Sequence, residues 1–335
     1  MPELRKDVIR GHWVSFASDR ALKPSDFPTA QKSRTEEKKN GFCPFCEGYE
    51  QNTPPEVDSC RPDGTLPNTP GWKIRVIPNK FSAFDPSLEL SPRKNGICPV
   101  MNGVGVHEVI VETPEHERGW QDYTAEEIYQ LLQIYQRRFQ ALAKDDRIRS
   151  IQIYKNYGFY AGASLAHNHS QLIGFPFVPA ALRGFASYHQ ETGRCVLCDL
   201  MKQELEEKTR ILYEGKYFVL LCPYASRFSY ETWLVPKTHR PHFKELPEAE
   251  IREMAEILHR YLPKMLNVLG DPSYNLVINA GPVNVEPDSE ESCSHWYMEI
   301  LPRMMIQAGV EVASGVYMNP VTPEYAAEIL REGCK

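Results

Sequence analysis

The chain has 335 residues, a formal net charge of −6 and a hydrophobic fraction of 42%. That length suits two ordinary domains, or one large domain of two similar halves, and the composition is near globular averages, which excludes wholesale disorder and a fibrous role. The acidic balance gives no broad basic field for nucleic acid, no stretch approaches the ~20 apolar residues of a membrane span, and the polar opening residues lack a secretory apolar core. Neither nucleic acid nor membrane is expected as a partner, and the expected compartment is the cytoplasm.

Residues 20–40, with Pro24, Pro28 and a charged run, read as an exposed loop. The pair Cys43-Pro-Phe-Cys46 follows, then an apolar, β-branched run at 74–78 that reads as a strand entering a proline turn. A second strand, 108–116, ends on His116. Thr124 and Glu127 then form a capping-box pattern ahead of an amphipathic helix with Ile128, Leu131, Leu132, Tyr135, Phe139 and Leu142 on one face. A strand at 151–156 runs into the turn Asn156-Tyr-Gly158, and a closing strand at 166–173 carries His167, His169 and Gln171.

The same order then recurs. After a crossing segment between Pro176 and Cys195 come Cys195-Val-Leu-Cys198, a strand at 217–223, a strand at 231–239 ending on His239, and a helix opening at Pro247. A strand leads into Asn279-Ala-Gly281, and a closing strand at 294–301 carries His295. A helix over 322–331, with Pro323 in its first turn, ends the pattern. A duplicated α+β unit, with antiparallel strands and one long helix per unit, is the economical reading. The expected division is 1–178 and 179–335.

Two cysteines separated by two residues can face one ion from a tight turn, and zinc takes four such thiolate or imidazole ligands. Matching histidines in each half complete two closed, structural sets: Cys43, Cys46, His116 and His167, then Cys195, Cys198, His239 and His295. One Cys-x-x-Cys alone is equally a redox pair or coincidence; the repeat favours metal. His107 competes with His116, but Tyr230 stands at its place in the second half. Cys60, Cys98, Cys222, Cys293 and Cys334 carry no spacing signal and read as ordinary thiols.

Side-chain alternation puts His167, His169 and Gln171 on one face of their strand. With His167 held by metal, His169 stands beside it unligated, next to a neutral amide, which suits nucleophilic attack on phosphorus. Upstream, Asn156, Gly162 and Ser164 supply the amide, the close backbone approach and the hydroxyl of a phosphate-contacting loop. Tyr297 replaces the nucleophile in the second half, so only the first half is expected to be catalytic.

The pattern Asn156-x-Gly-x-x-x-Gly-x-Ser-x-x-His-x-His-x-Gln171 resembles the active-site signature of the galactose-1-phosphate uridylyltransferase family of the histidine-triad superfamily, which includes ADP-sugar phosphorylase-like enzymes. The resemblance covers nearly the whole chain, from residues 20–26 to Gly315-Val-Tyr317-Met-Asn-Pro320. It implies two histidine-triad-like halves, zinc in both metal sets, and a ping-pong transfer through a covalent nucleotidyl-His169. Gln171 would bind the α-phosphoryl oxygens, Ser164 and Asn156 the departing phosphate, and Asn79 the nucleoside. Arg20 and Lys23 would reach a partner's active site in a homodimer, and Tyr317 would join the substrate contacts.

UDP-glucose with a sugar 1-phosphate acceptor is the first substrate expectation, and ADP-sugar phosphorylysis the alternative. Well-known uridylyltransferases often have Arg-Pro-Trp in the early loop and lack the second cysteine pair. This chain has Lys23-Pro-Ser-Asp and keeps that pair, as the ADP-sugar-type relatives do. Histidine-triad hydrolases carry a further histidine at the place of Gln171, able to protonate a poor leaving group, so glutamine fits transfer better than hydrolysis. A metallohydrolase using His167 and His169 as joint ligands lacks nearby acidic ligands, and a non-enzymatic zinc module leaves the signature unexplained.

Overall fold

The computed structural model describes residues 3–16, 22–27, 42–62, 64–286 and 293–332. In chain order the strands and helices of the first half are β1 (Glu3–Lys6), β2 (Trp13–Phe16), β3 (Asp58–Cys60), β4 (Ile74–Pro78), β5 (Arg93–Asn95), β6 (Cys98–Val100), β7 (Val106–Val111), α1 (Ala125–Leu142), β8 (Ser150–Tyr157) and β9 (His169–Phe175). There follow α2 (Arg183–Thr192), α3 (Val196–Glu207), β10 (Ile211–Glu214), β11 (Phe218–Leu221), β12 (Thr232–Pro236), α4 (Glu248–Leu269), β13 (Tyr274–Asn279), β14 (Tyr297–Pro302), α5 (Gly309–Ser314), β15 (Tyr317–Asn319) and α6 (Pro323–Glu332). Among the described residues no helix is long and apolar enough to cross a membrane.

Ten strands form one sheet in the order β10-β11-β12-β14-β13-β8-β9-β7-β4-β3. Read outward from the middle, each side repeats the same sequence of elements, and the seam is the antiparallel pair β8–β13, with Asn156 opposite Asn275. The repeat therefore builds one continuous α+β sheet. The helix-facing side of that sheet is the main core: Tyr135 and Phe139 from α1 and Leu258 and Leu262 from α4 belong to one buried apolar cluster spanning both halves.

Helix α1 forms where its spacing predicts. Thr124 Oγ1 accepts the Glu127 amide at 3.2 Å and Glu127 Oε2 accepts the Thr124 amide at 2.8 Å, which satisfies two otherwise unpaired donors. Its face of Ile128, Leu131, Leu132, Tyr135, Phe139 and Leu142 is buried. Helix α4 likewise opens after Pro247 and buries Ile251, Met254, Leu258 and Tyr261.

Three local expectations change. Strands β9 and β14 begin at His169 and Tyr297, so His167 and His295 lie just before them rather than within them. The chain must turn there to bring an imidazole to its cysteine pair. The crossing segment contains the helix α2, and α3 begins at Cys195 as its N-cap. Most of the early loop, with Arg20, lies outside the described residues, as does Cys334.

The other sheet face is treated differently in the two halves. In the first, Trp72, Ile77, Val109 and Val111 form a small apolar cluster with Phe45 beside it. In the second, Ile9, Phe185, Val196, Trp233 and Tyr297 fill the surface.

Candidate active site

Strand β9 lies between β7 and β8, and the register fixes what its outward side chains meet. Gln171 pairs with Val109 on one side and Tyr154 on the other, while His169 pairs with Val111. Ser170 and Leu172 point to the helix side and are buried. The Tyr135 hydroxyl on α1 lies 2.7 Å from Ser170 Oγ, and the fully buried Lys155 lies 3.4 Å from the His169 carbonyl oxygen. The strand carrying the histidine is thus gripped from behind by side chains.

His169 is 6% exposed. Its Nδ1 lies 2.8 Å from the carbonyl oxygen of His167, so the proton is on Nδ1 and the Nε2 lone pair is free for the cavity it lines. Burial, chiefly, lowers its pKa below the ordinary histidine value. A neutral imidazole with one nitrogen anchored and the other open is arranged as a nucleophile.

The cavity has a volume of about 420 Å³. His169, Gln171 and Ser164 lie at one side, and Ile77, Asn79 and Phe45 help form its walls. Asn52, Thr53 and Pro54 also reach it, residues that carried no sequence signal. Asn79 is held by its own neighbours: its Oδ1 accepts the Phe81 amide at 2.9 Å and its Nδ2 faces His107. A second cavity of about 390 Å³, bordered by Ile9, Tyr188, Asp199 and Trp233, contains none of the signature residues.

Other expected site residues stand apart from the first cavity. Asn156 is on the outward face of β8, where its Oδ1 accepts Asn275 Nδ2 at 2.8 Å. Gly162, at φ 83°, caps a short turn in the left-handed conformation that suits glycine. Neither borders the cavity, and nor do Lys23 and Tyr317; Tyr317 instead packs on His12 at a ring-centroid distance of 4.9 Å.

The structure brings Cys43, Cys46, His116 and His167 together, and likewise Cys195, Cys198, His239 and His295, with the ligand atoms of each set within 4.8 Å of one another. In the first, His167 Nδ1 lies 3.7 Å from Cys43 Sγ and 3.5 Å from Cys46 Sγ, and His116 Nδ1 lies 3.4 Å from Cys46 Sγ. In the second, the corresponding distances are 3.9, 3.4 and 3.5 Å. Tetrahedral zinc with ordinary bond lengths separates sulfur and nitrogen ligands by about 3.6 Å, so both sets fit one ion. His167 Nε2 donates to the Thr113 carbonyl at 2.7 Å, turning the Nδ1 lone pair toward the cysteines. Chiefly through burial, the His167 pKa falls to about 4, and metal ligation needs that neutral form. His107 is not in either set; it lies beside Gln171.

At the corresponding place in the second half, among the described residues, side chains fill the sheet face. Tyr297 stands where β9 has His169, its ring tilted against Trp233 at a centroid distance of 4.7 Å, and Glu299 takes the place of Gln171. Glu299 is bound by Arg10 at 2.8 Å, Arg227 at 2.8 Å and Asn279 at 2.9 Å.

Comparison with known proteins gives the family. Residues 181–332 match the C-terminal domain of galactose-1-phosphate uridyl transferase, and 95–178 match the N-terminal domain of a family described as DUF4931, a domain of unknown function. An ADP-glucose phosphorylase of Arabidopsis thaliana is 36% identical over 99% of this chain and 93% of its own length. The chain belongs to the galactose-1-phosphate uridylyltransferase family. It is an enzyme of the nucleotidyltransferase type. A galactose-1-phosphate uridylyltransferase of Thermotoga maritima is 28% identical over 99% of this chain and 98% of its length. Among solved structures, an ADP-glucose phosphorylase from Arabidopsis thaliana with bound ADP-glucose aligns at TM-score 0.81 and 33% identity over 99% of both chains. A uridylyltransferase at 22% identity shares the fold, with TM-score 0.74 over 100% of this chain and 98% of that one.

Proposed function

We propose that this member of the family transfers a nucleoside monophosphate from a nucleoside diphosphate sugar by way of a covalent nucleotidyl-His169. The observation that carries the reading is the anchored Nδ1 and open Nε2 of His169 at the wall of the cavity, with Gln171 two residues along the same strand face. His169 Nε2 attacks the α-phosphorus, an N–P bond forms, and the P–O bond to the sugar 1-phosphate breaks with its electron pair going to the departing oxygen. An acceptor oxygen, from phosphate or a second sugar 1-phosphate, then attacks and releases the imidazole.

A sugar 1-phosphate leaves as a stable anion, so no proton donor is needed opposite His169. Gln171 donates its amide protons to the phosphoryl oxygens as charge shifts in the transition state. Ser164 contacts the departing phosphate from the same side of the cavity, with Gly162 and Asn156 shaping the loop that carries it. Zinc held by Cys43, Cys46, His116 and His167, and by Cys195, Cys198, His239 and His295, would supply rigidity to the turns that present the strands, and His169 is in neither set.

For the base and acceptor, adenine with phosphate is supported by the 36% identity to a protein named ADP-glucose phosphorylase over nearly the whole chain. The uridylyl reading, UDP-glucose with a hexose 1-phosphate as in galactose metabolism, is supported by the relatives at 28% identity. The mirrored sheet order supports 1–178 as the catalytic half and 179–335 as its non-catalytic copy. Homodimerisation, with Arg20 and Lys23 reaching the partner's site, accords with Lys23 lying outside the cavity of its own chain, as Tyr317 does.

Intact-protein mass after brief incubation without acceptor tests this, with ADP-glucose in one tube and UDP-glucose in another. An AMP-sized or UMP-sized adduct, absent from His169→Asn, is expected and names the base. No adduct from either donor in a protein with both metal sets filled overturns the reading.

A further inference from the structure

Gln171 can serve a phosphoryl group only if its amide protons face it. A primary amide has two nearly isosteric ends, one donating and one accepting, and a free side chain presents either. Turned the wrong way, the carbonyl oxygen would oppose the phosphoryl oxygens. Something must choose the end.

The residues around Gln171 make that choice. Its Oε1 lies 2.7 Å from His107 Nε2 and accepts the Tyr154 hydroxyl at 3.0 Å. Both neighbours are set by the sheet: Tyr154 pairs with Gln171 across β8–β9, and His107 pairs with Ile173, one outward position further along β7–β9. Flipping the amide would put its protons against the His107 N–H and lose that hydrogen bond, whereas the Tyr154 hydroxyl can donate or accept, so His107 is the neighbour that discriminates.

His107 has to carry its proton on Nε2 for this to hold, which a hydrogen bond to Gln171 Oε1 at 2.7 Å requires. The Asn79 Oδ1 accepts the Phe81 amide at 2.9 Å, which leaves its Nδ2 as the end facing the imidazole, 3.1 Å from Nε2 and 3.4 Å from Nδ1. With the Nε2 proton directed to Gln171, Nδ1 is the ring nitrogen left to accept from the Asn79 amide. The Asn79 backbone amide also donates to the His107 carbonyl at 2.8 Å, tying the two residues together.

We propose that His107 is a positioning residue for the transferase: by donating to Oε1 together with Tyr154, it locks the Gln171 amide so that Nε2–H₂ faces the phosphoryl site beside His169. The proposal rests on the reading above, in which Gln171 stabilises the transferring group. His107 does not touch substrate; it acts through Gln171.

The test is the rate of nucleotidyl adduct formation in the full-length, metal-loaded protein, followed by rapid-quench mass measurement with whichever donor labels the wild type. His107→Phe keeps a planar ring and removes the donor, and is expected to slow the step by about 10-fold or more, part of the ~10²–10³-fold carried by one stabilising donor. Donor affinity is expected to stay within about 2-fold, since the ground state is little affected. His107→Gln restores an N–H and is expected to recover most of the rate. In a Gln171→Ala background, His107→Phe is expected to add nothing, which a merely structural role would not produce.

A wild type that forms adduct, with His107→Phe equally fast or with the same loss persisting in Gln171→Ala, overturns the positioning role and leaves the transferase reading standing. A wild type that forms no adduct with either donor overturns the transferase reading and this inference with it.

Discussion

Lys155 Nζ lies 2.7 Å from Glu112 Oε2, and neither side chain is exposed to solvent. Glu112 also accepts Trp120 Nε1 at 2.8 Å and the Tyr135 hydroxyl at 3.2 Å, so the pair is the centre of a satisfied network beneath the strand of His169. Burial lowers the Lys155 pKa, and the carboxylate opposes that shift. Removing one partner strands the other charge, so Lys155→Met is expected to destabilise the fold by about 3–5 kcal/mol. Urea unfolding midpoints check it; a loss below about 1 kcal/mol would mean that the ion pair adds little to the stability of the fold.

Each metal set is expected to act on its own half. Cys43→Ser is expected to lose one metal equivalent and the adduct at His169, because His167 precedes that strand by two residues and shares the set. Cys195→Ser is expected to lose one equivalent and keep the adduct. Metal analysis beside adduct mass decides; adduct formation by Cys43→Ser would show that the first ion does not hold the nucleophile's strand in place.

Gln171→Ala is expected to lower kcat by about 10²-fold while KM for the donor changes little, since the amide acts on charge that develops in the transition state. Steady-state kinetics with the labelling donor give the split. A rise in KM alone would make Gln171 a ground-state contact.

Glu56 sets an acid limb on stability. Burial raises its pKa, but hydrogen bonds from Arg61 at 2.7 Å and Arg75 at 2.9 Å outweigh it, and the folded value lies below the ordinary 4.5. A depressed folded pKa stabilises above the unfolded value, and that contribution is lost as pH falls below 4.5 through the folded one. Glu56→Gln is expected to be less stable at neutral pH and to show a shallower loss toward about pH 3, read from urea midpoints across that range.

Much of this was legible in the sequence because duplication printed each signal twice. The cysteine pairs, each followed by two histidines in the same order, read as two sets, and helix α1 was readable to its cap from Thr124 and Glu127. What escaped has physical reasons. The seam at β8–β13 depends on backbone hydrogen bonds between distant segments, which leave no spacing in the chain. His107 was weighed only as a metal ligand, since its real neighbour, Gln171, is 64 residues away. Thr113 contributes a carbonyl oxygen, which any residue could offer. Asn52 and Thr53 come to the cavity from the end of a single 3-10 turn, too short to show periodicity.

Tyr297 gives the last consequence. A doubled chain invites the idea that one substitution, Tyr297→His, would reawaken a second catalytic centre. The surroundings forbid it: Ile9 and Arg10 from the N-terminal segment occupy the space above β14, and Glu299 is claimed by two guanidinium groups. The surface that would have received a nucleotide has become the socket for the protein's own N-terminal segment. On the proposed mechanism, the silence of that copy is an architectural commitment, reversible only by cutting the N-terminal segment away from the sheet it helps to hold.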